Sequence, residues 1–396
     1  MKKILALLLV AVMVVGMGLT MGGCSSKGDT LKVGFIFLHD ENSTYDKNFI
    51  DAAKEACKNM GVEMVSKTQI PESNKAYEAA KELIETDGCD IIFADSFGHE
   101  SFLMKAAEEY PEVQFCHATG TQAHTSGLKN FHNAFASIYE GRYLAGVVAG
   151  MKLNQMIADG KITAEQAKMG YVGAFTFAEV ISGYTSFYLG AKSVCPSVTM
   201  DVRFTGSWYD EQLEKEAAQA LIEGGCVLIS QHADSMGSPT ACEKAGVPNV
   251  SYNGSTAKAC PETFLISSRI NWVPYFEYMI QCVKDGKDIA ADWTGTLENG
   301  AVALTDLGKN VAPGTAEKLE AVKKALNDGT VNVFDTANFT VGGKTLTSYK
   351  ADVDYDDKFT PDTEVIEDGV FYESKHRSGP YFDLRIDGIS LLNEKY

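Results

Sequence analysis

The chain has 396 residues, 45% of them hydrophobic, which is enough for two domains of roughly 100–200 residues with cores of their own and excludes a small disulfide knot or a disordered tail. Its 35 Lys and Arg stand against 53 Asp and Glu, a formal net charge of −18, so phosphate-rich nucleic acid is repelled from most of the surface. The same field disfavours anionic ligands and suits a neutral or cationic one.

Met1-Lys2-Lys3, an apolar run from Ile4 to Val15 and small residues ending at Gly22-Gly23-Cys24 follow the order of an export signal. The run falls short of the roughly 18 uninterrupted apolar residues a membrane span requires, and no later stretch approaches that length. Residues 1–23 resemble a bacterial lipoprotein signal, which implies a lipid on Cys24; the alternative is cleavage as a freely secreted protein. Residues 24–30 then read as a polar tether. Removal of Lys2 and Lys3 with the signal takes the net charge from −18 to −20. The remaining cysteines, 57, 89, 116, 195, 226, 242, 260 and 282, include no C-x-x-C. Cys89, Cys116 and Cys226 lie inside apolar strands, where a buried thiol is expected.

From Leu31 to Phe37 a short strand is expected, followed by helices over Tyr45 to Met60 and Asn74 to Glu85. A strand over Cys89 to Ala94, a helix from Phe102 to Glu109 and a strand over Val113 to His117 come next. Tyr139 to Leu153 carries Gly141, Gly146 and Gly150 among apolar residues, a helix suited to close packing. The first order then recurs: strand Met169 to Gly173, helix Val180 to Ser193, strand Met200 to Thr205, helix Asp210 to Glu223, strand Cys226 to Ser230, a helix from Pro239 and strand Pro248 to Tyr252. Gly34 and Gly170 are 136 positions apart, and Cys89 and Cys226 are 137 apart. Alternating strands and helices imply parallel sheets with helices on their faces, here in two similar α/β lobes. Past Trp272 a helix containing Tyr275, Met279 and Cys282 is expected to return toward the first lobe, so the chain crosses between lobes more than once, as in a hinged clamshell. A charged helix from Ala316 to Asn327 leads into a polar ending with hairpin signals at Gly342-Gly343 and Asp368-Gly369. The acidic stretch of Asp352, Asp354, Asp356 and Asp357 lacks the Gly and closing Glu of a calcium loop and reads as a solvated face or loop.

The division that follows is an N-terminal lobe over 31–134, a mainly C-terminal lobe with hinge crossovers over 135–272, a return helix and lobe completion over 273–345, and an extension over 346–396. In open α/β sheets ligands lie beyond the carboxyl ends of the strands. The residues there are aromatic and acidic: Asn42 to Asp46, Asp95 to Gly98, Gly206 to Asp210, His232 to Ser235, and Tyr252-Asn253. One ring from each lobe could hold a flat heterocycle, with stacking worth about 1 kcal/mol beyond area burial. Asp210, just before a helix, reads as an N-cap.

The run Asn130 to Gly146, with Thr205-Gly-Ser-Trp208, Gln231 to Ser235 and Ser268 to Trp272, resembles the basic membrane protein family of transporter substrate-binding lipoproteins over roughly residues 31 to 305. The resemblance implies the two-lobed periplasmic-binding-protein type I fold, two Rossmann-like lobes with a hinge and a ligand cleft between them. It also implies delivery of a purine base or nucleoside to an ABC permease at the extracytoplasmic face of the membrane, by a monomer without cofactor. Tyr45 corresponds to the family's first-lobe aromatic, Trp208 to its second-lobe ring, Asp46 to a polar residue at the ring edge and Asp234 to an acid that contacts ribose or base. Asn253 replaces a common acid and Asn271 a lysine of nucleoside binders, which favours a base. Asn271-Trp272 and Trp208 are closest to the branch that binds adenine-like bases. Ser96, Phe97 and Glu179 are further cleft residues on this resemblance.

Catalytic and metal motifs fail one by one. His99-Glu100 begins H-E-x-x-H, but Leu stands at 103. Gly343-Lys344-Thr345 ends like a P-loop, but Asn338 occupies the first Gly position. No G-x-S-x-G occurs. The expectation is a binding protein and not an enzyme; the alternatives are a ligand-sensing lipoprotein reporting to a membrane receptor, or a nucleoside hydrolase.

Overall fold

Strands buried on both faces read as unbroken apolar runs, as Ile91–Ala94 at the centre of the first sheet does. A computed structural model describes residues 30–353 and 360–394; the signal segment and Cys24 lie outside the described residues. Strand β1 (Lys32–Ile36) leads into helix α1 (Thr44–Met60), then β2 (Glu63–Lys67), α2 (Asn74–Glu85), β3 (Ile91–Ala94), α3 (Glu100–Glu109), β4 (Gln114–Ala118) and β5 (Phe131–Ala136). Helix α4 (Ile138–Ala158) precedes β6 (Lys168–Gly173), α5 (Ala178–Val194), β7 (Thr199–Phe204), α6 (Glu211–Glu223), β8 (Leu228–Gln231), α7 (Gly237–Ala245), β9 (Asn249–Tyr252) and β10 (Phe264–Ile270). Helix α8 (Val273–Asp285), β11 (Asp292–Gly295), β12 (Val302–Leu304) and α9 (Thr315–Asn327) follow.

The first sheet has the order β2-β1-β3-β4-β5-β11 with every pair parallel. The second has the order β7-β6-β8-β9-β10-β12, parallel except for β12, and gains Ile389–Leu391 outside β7. In each lobe the first strand lies between the second and third, the doubly wound order whose switch point is a ligand crevice. The repetition reaches single contacts. A Cβ added at Gly34 would lie 2.9 Å from Ile92 Cδ1 and 3.2 Å from Cys89 Sγ, and one at Gly170 2.6 Å from Ile229 Cδ1 and 3.2 Å from Cys226 Cβ. Equivalent glycines thus let equivalent side chains cross the strand in both lobes.

The chain passes between sheets after β5, again from β10 to α8 and β11, and back to β12. Helix α8 packs on α1 of the first lobe, Lys284 Nζ reaching the Met60 carbonyl and Asn59 Nδ2 donating to Glu277 at 2.8 Å. Helix α4 is apolar on nearly every side, as a helix enclosed by others must be. Gly146 and Gly190 make its contact with α5 close, since a Cβ on either would sit 2.0 Å from a backbone carbonyl oxygen, that of Phe187 or Tyr143. Asp210 caps α6 through the Leu213 N–H at 2.9 Å. All eight cysteines of the described residues are buried free thiols.

Strand β2 is an edge strand with no fully buried residue, and its polar sequence carries no signal of its own. Of the acidic stretch expected to be a solvated face or loop, Asp354, Asp356 and Asp357 lie outside the described residues. The segment around them is packed: Phe334 stacks on Phe382 at 4.2 Å, Phe371 meets Phe382 at 4.7 Å, and Glu373, Arg377 and Ser378 are buried. The physical reason is an aromatic cluster contributed by residues far apart in sequence, tied to α4 through Tyr139 and Phe334 at 5.2 Å. The Asp368-Gly369 signal does form a hairpin, joining Ile366–Glu367 to Val370–Phe371, and Gly342-Gly343 sits between bridged Val341 and Lys344.

Candidate ligand-binding site

A cavity of about 370 Å³ lies at the carboxyl ends of both sheets, near the lower end of the roughly 300–1,000 Å³ usual for small-molecule sites. Tyr45, Asp46, Ser96, Phe97, Glu179, Trp208 and Asp234 all line it. Asn253, Asn271 and Trp272 do not. Asn253 turns the chain after β9 at φ +63°, a conformation Asn tolerates, and its N–H donates to the Ser268 carbonyl at 2.9 Å. Asn271 fixes the joint before α8, its Nδ2 donating to the Gly300 carbonyl and its Oδ1 accepting from the Val273 N–H. Trp272 is 1% exposed in the first lobe's core, stacked on Phe49 at 4.4 Å.

The aromatic wall draws on both lobes. Tyr45, in the first turn of α1, has its ring edge against Phe49 at 4.8 Å and donates its hydroxyl to the Asp95 carbonyl at 2.8 Å. Phe97, after β3, faces Phe177 of the second lobe at 5.1 Å. Phe177 continues into Phe175 at 5.3 Å and Trp208 at 5.9 Å. Phe175 and Phe177, which were not among the sequence candidates, follow Gly173 at the end of β6, the same position after a strand that the other lining residues occupy.

The acidic groups are held differently from one another. Asp46 takes the His39 N–H and the Ser43 hydroxyl, each at 2.6 Å. Burial pushes its carboxyl up, but the hydrogen bonds from His39 and Ser43 outweigh that and hold it below the usual range. Asp95 beside it is pushed well up, by burial first and then by the charge of Asp46. Burial, followed by repulsion from Asp46, Glu214 and Glu179, also raises Asp234 well above the carboxylate range. The Asp234 carbonyl accepts from the Thr44 N–H at 2.9 Å and its hydroxyl at 3.1 Å, a direct link between lobes at the cavity.

Glu179 ends a buried polar chain. Arg142, 1% exposed, lies over the Tyr252 ring at 3.3 Å and donates to the Gln231 carbonyl at 3.0 Å and to His232 Nδ1 at 2.9 Å. Guanidinium only donates, so Nδ1 accepts and Nε2 carries the proton, which it gives to Glu179 Oε2 at 2.6 Å. Burial holds the His232 pKa below its ordinary value, in keeping with a neutral ring. With both nitrogens engaged, His232 positions Glu179 as a fixed acceptor at the cavity. The site can therefore stack a flat ring and accept hydrogen bonds from its edge. His99 and Glu100 serve the scaffold: His99 Nε2 bonds the Ile70 carbonyl at 2.9 Å and Glu100 accepts from the Thr121 and Gln122 N–H groups. No group of three metal-ligating side chains converges among the described residues.

Residues 36–333 match the family described as ABC transporter substrate-binding protein, PnrA-like. A purine-binding protein of Brucella abortus is 31% identical over 323 residues, covering 80% of this chain and 87% of that protein. A protein of Haloferax volcanii named as an ABC transporter glucose-binding protein is 28% identical over 324 residues, 81% of this chain and 78% of its own length. Among solved structures, an ABC transporter solute-binding protein from Aeropyrum pernix superposes with a TM-score of 0.65 at 17% identity, over 76% of this chain and 92% of that one, a likeness of fold.

Proposed function

This chain belongs to the PnrA-like family of ABC transporter substrate-binding proteins, and from that premise we propose that its cavity binds a purine base or nucleoside for delivery to an ABC permease. The observation that carries the reading is one cavity at two switch points, lined by Tyr45, Phe97, Phe177 and Trp208 together with the carboxyl groups of Glu179 and Asp234. A purine offers a flat face to the rings and N–H donors to the acids, and its neutrality suits a chain of net charge −18. Stacking between a first-lobe and a second-lobe ring would make binding dependent on both lobes, so that closure presents a ligand-loaded form to the permease. Lipidation at Cys24 would hold the protein at the outer face of the membrane. The same geometry supports binding without chemistry, since His232 has both nitrogens committed to Arg142 and Glu179.

Thermal-shift measurement against adenine, hypoxanthine, adenosine and D-glucose tests the reading, because a ligand that binds only the folded state raises the melting temperature, by an amount that grows with the logarithm of its concentration over its Kd. The expected result is stabilisation by purines, with a base at least equal to its nucleoside. Stabilisation by D-glucose alone would transfer the assignment to sugars, in line with the Haloferax relative.

A further inference from the structure

We propose that the C-terminal segment, in its described residues 346–353 and 360–394, is part of the ligand site and sets the size of ligand that fits, a claim that rests on the cavity being the binding site proposed above. The segment lies past residue 333, where the family match ends. Nine of the twenty-five residues around the cavity come from it, so without it one side of the cavity would stand open. Tyr349 and Ala351 face the cavity from one stretch, and Arg377, Pro380 and Tyr381 from another.

Both stretches are fixed to each other and to each lobe. Arg377, 5% exposed, donates to the carbonyls of Val353 and Gly379 at 3.1 Å and of Asp352 and Pro380 at 3.4 Å, tying the two stretches together. The Tyr349 hydroxyl donates to Asp383 Oδ1 at 2.6 Å. On the first lobe, the N–H and hydroxyl of Ser378 both donate to Asp292 Oδ1 of β11, at 2.8 and 2.7 Å. On the second, the Ser182 hydroxyl of α5 meets the Glu373 carboxyl, and Asn393 exchanges hydrogen bonds with the Phe204 backbone at 2.8 and 2.9 Å. Ile389–Leu391 extends the second sheet beside β7. A wall bonded at both ends to the lobes it closes is pre-organised; it gives the cavity a fixed boundary, and a fixed boundary discriminates ligands by size.

The test uses the full mature chain and two variants. Ala351→Trp fills the cavity from the segment side, and Tyr349→Ala enlarges it. Calorimetric titration with adenine, adenosine and D-glucose is run alongside circular dichroism. Whichever probe binds the parent chain should bind Ala351→Trp at least tenfold more weakly. Tyr349→Ala should shift the ratio of adenosine to adenine affinity at least tenfold toward adenosine; because Tyr349 is only half-buried, this variant carries the test if Ala351→Trp fails to fold. Parent-like affinities in folded variants overturn the assignment of the segment while leaving the purine reading intact. Binding of D-glucose alone overturns the purine reading and leaves the segment to be judged by Ala351→Trp against D-glucose, or by Tyr349→Ala losing D-glucose affinity if the tryptophan variant does not fold. If the parent chain binds none of the three, both are overturned.

Discussion

Glu373 has its carboxyl against the Ser182 hydroxyl and away from water, and burial pushes its pKa up to about 8. The folded chain therefore keeps a proton that the unfolded chain releases near an ordinary glutamate value. Between those two values the native state binds more protons than the unfolded one, so stability falls as pH rises from about 4.5 to about 8, by about 1.4 kcal/mol per pKa unit of difference. Glu214 acts with the same sign over a shorter span. Its carboxyl takes the Ser235 N–H and the Asp210 N–H, and burial raises it to about 7. Glu373→Gln preserves the hydrogen bond and removes the titration. Its melting temperature should change less than the parent's between pH 5 and pH 8, with the variant relatively more stable at the alkaline end; equal slopes would mean that Glu373 is ionised in the fold. The residue scale also explains which candidates failed to reach the cavity. Position after a strand identified Ser96, Trp208 and Asp234, but it does not say which way a side chain points. Asn253 is spent on a left-handed turn and Trp272 on the first lobe's core.

Helices α4 and α5 meet through reciprocal glycines, Gly146 over the Phe187 backbone and Gly190 over that of Tyr143. Replacing a helical glycine by alanine ordinarily gains about 1 kcal/mol of helix propensity. Here the new methyl would lie 2.0 Å from a carbonyl oxygen of the partner helix, and overpacking of that kind costs about 1–3 kcal/mol or more. Steric cost wins, so Gly190→Ala should lower stability by about 2 kcal/mol in denaturant titration, and an unchanged or raised midpoint would show that the helices stand further apart. The close contact was legible in the sequence because small residues recur through an otherwise apolar helix. So was the alternation of strands and helices, since β1, β3, β6 and β8 are short apolar runs between amphipathic segments. Strand β5 was concealed by His132 and Asn133, polar residues satisfied only in the fold, by Gln114 and by the Ala123 N–H. The C-terminal wall was concealed for the same kind of reason. Phe371, Arg377, Tyr381 and Phe382 follow no period, and their burial comes from partners such as Phe334 that the local sequence does not announce.

At the scale of the molecule, two sheets of the same strand order face one cavity and are joined by three passages of the chain. The 136- and 137-residue offsets seen in the sequence correspond to the first and third strands of each lobe. Thr44 and Asp234 bond across the cavity, and Phe97 meets Phe177 there, so the cavity has walls from both halves. Whether that space is a purine site is decided most directly by calorimetric titration of adenine into the mature chain and into Trp208→Ala. The parent should show saturable one-to-one binding and the variant a loss of at least about tenfold, the stacking contribution alone approaching about 1.4 kcal/mol at its upper end. Equal affinities in the two proteins, or no adenine binding by a parent that binds D-glucose, would contradict the purine reading.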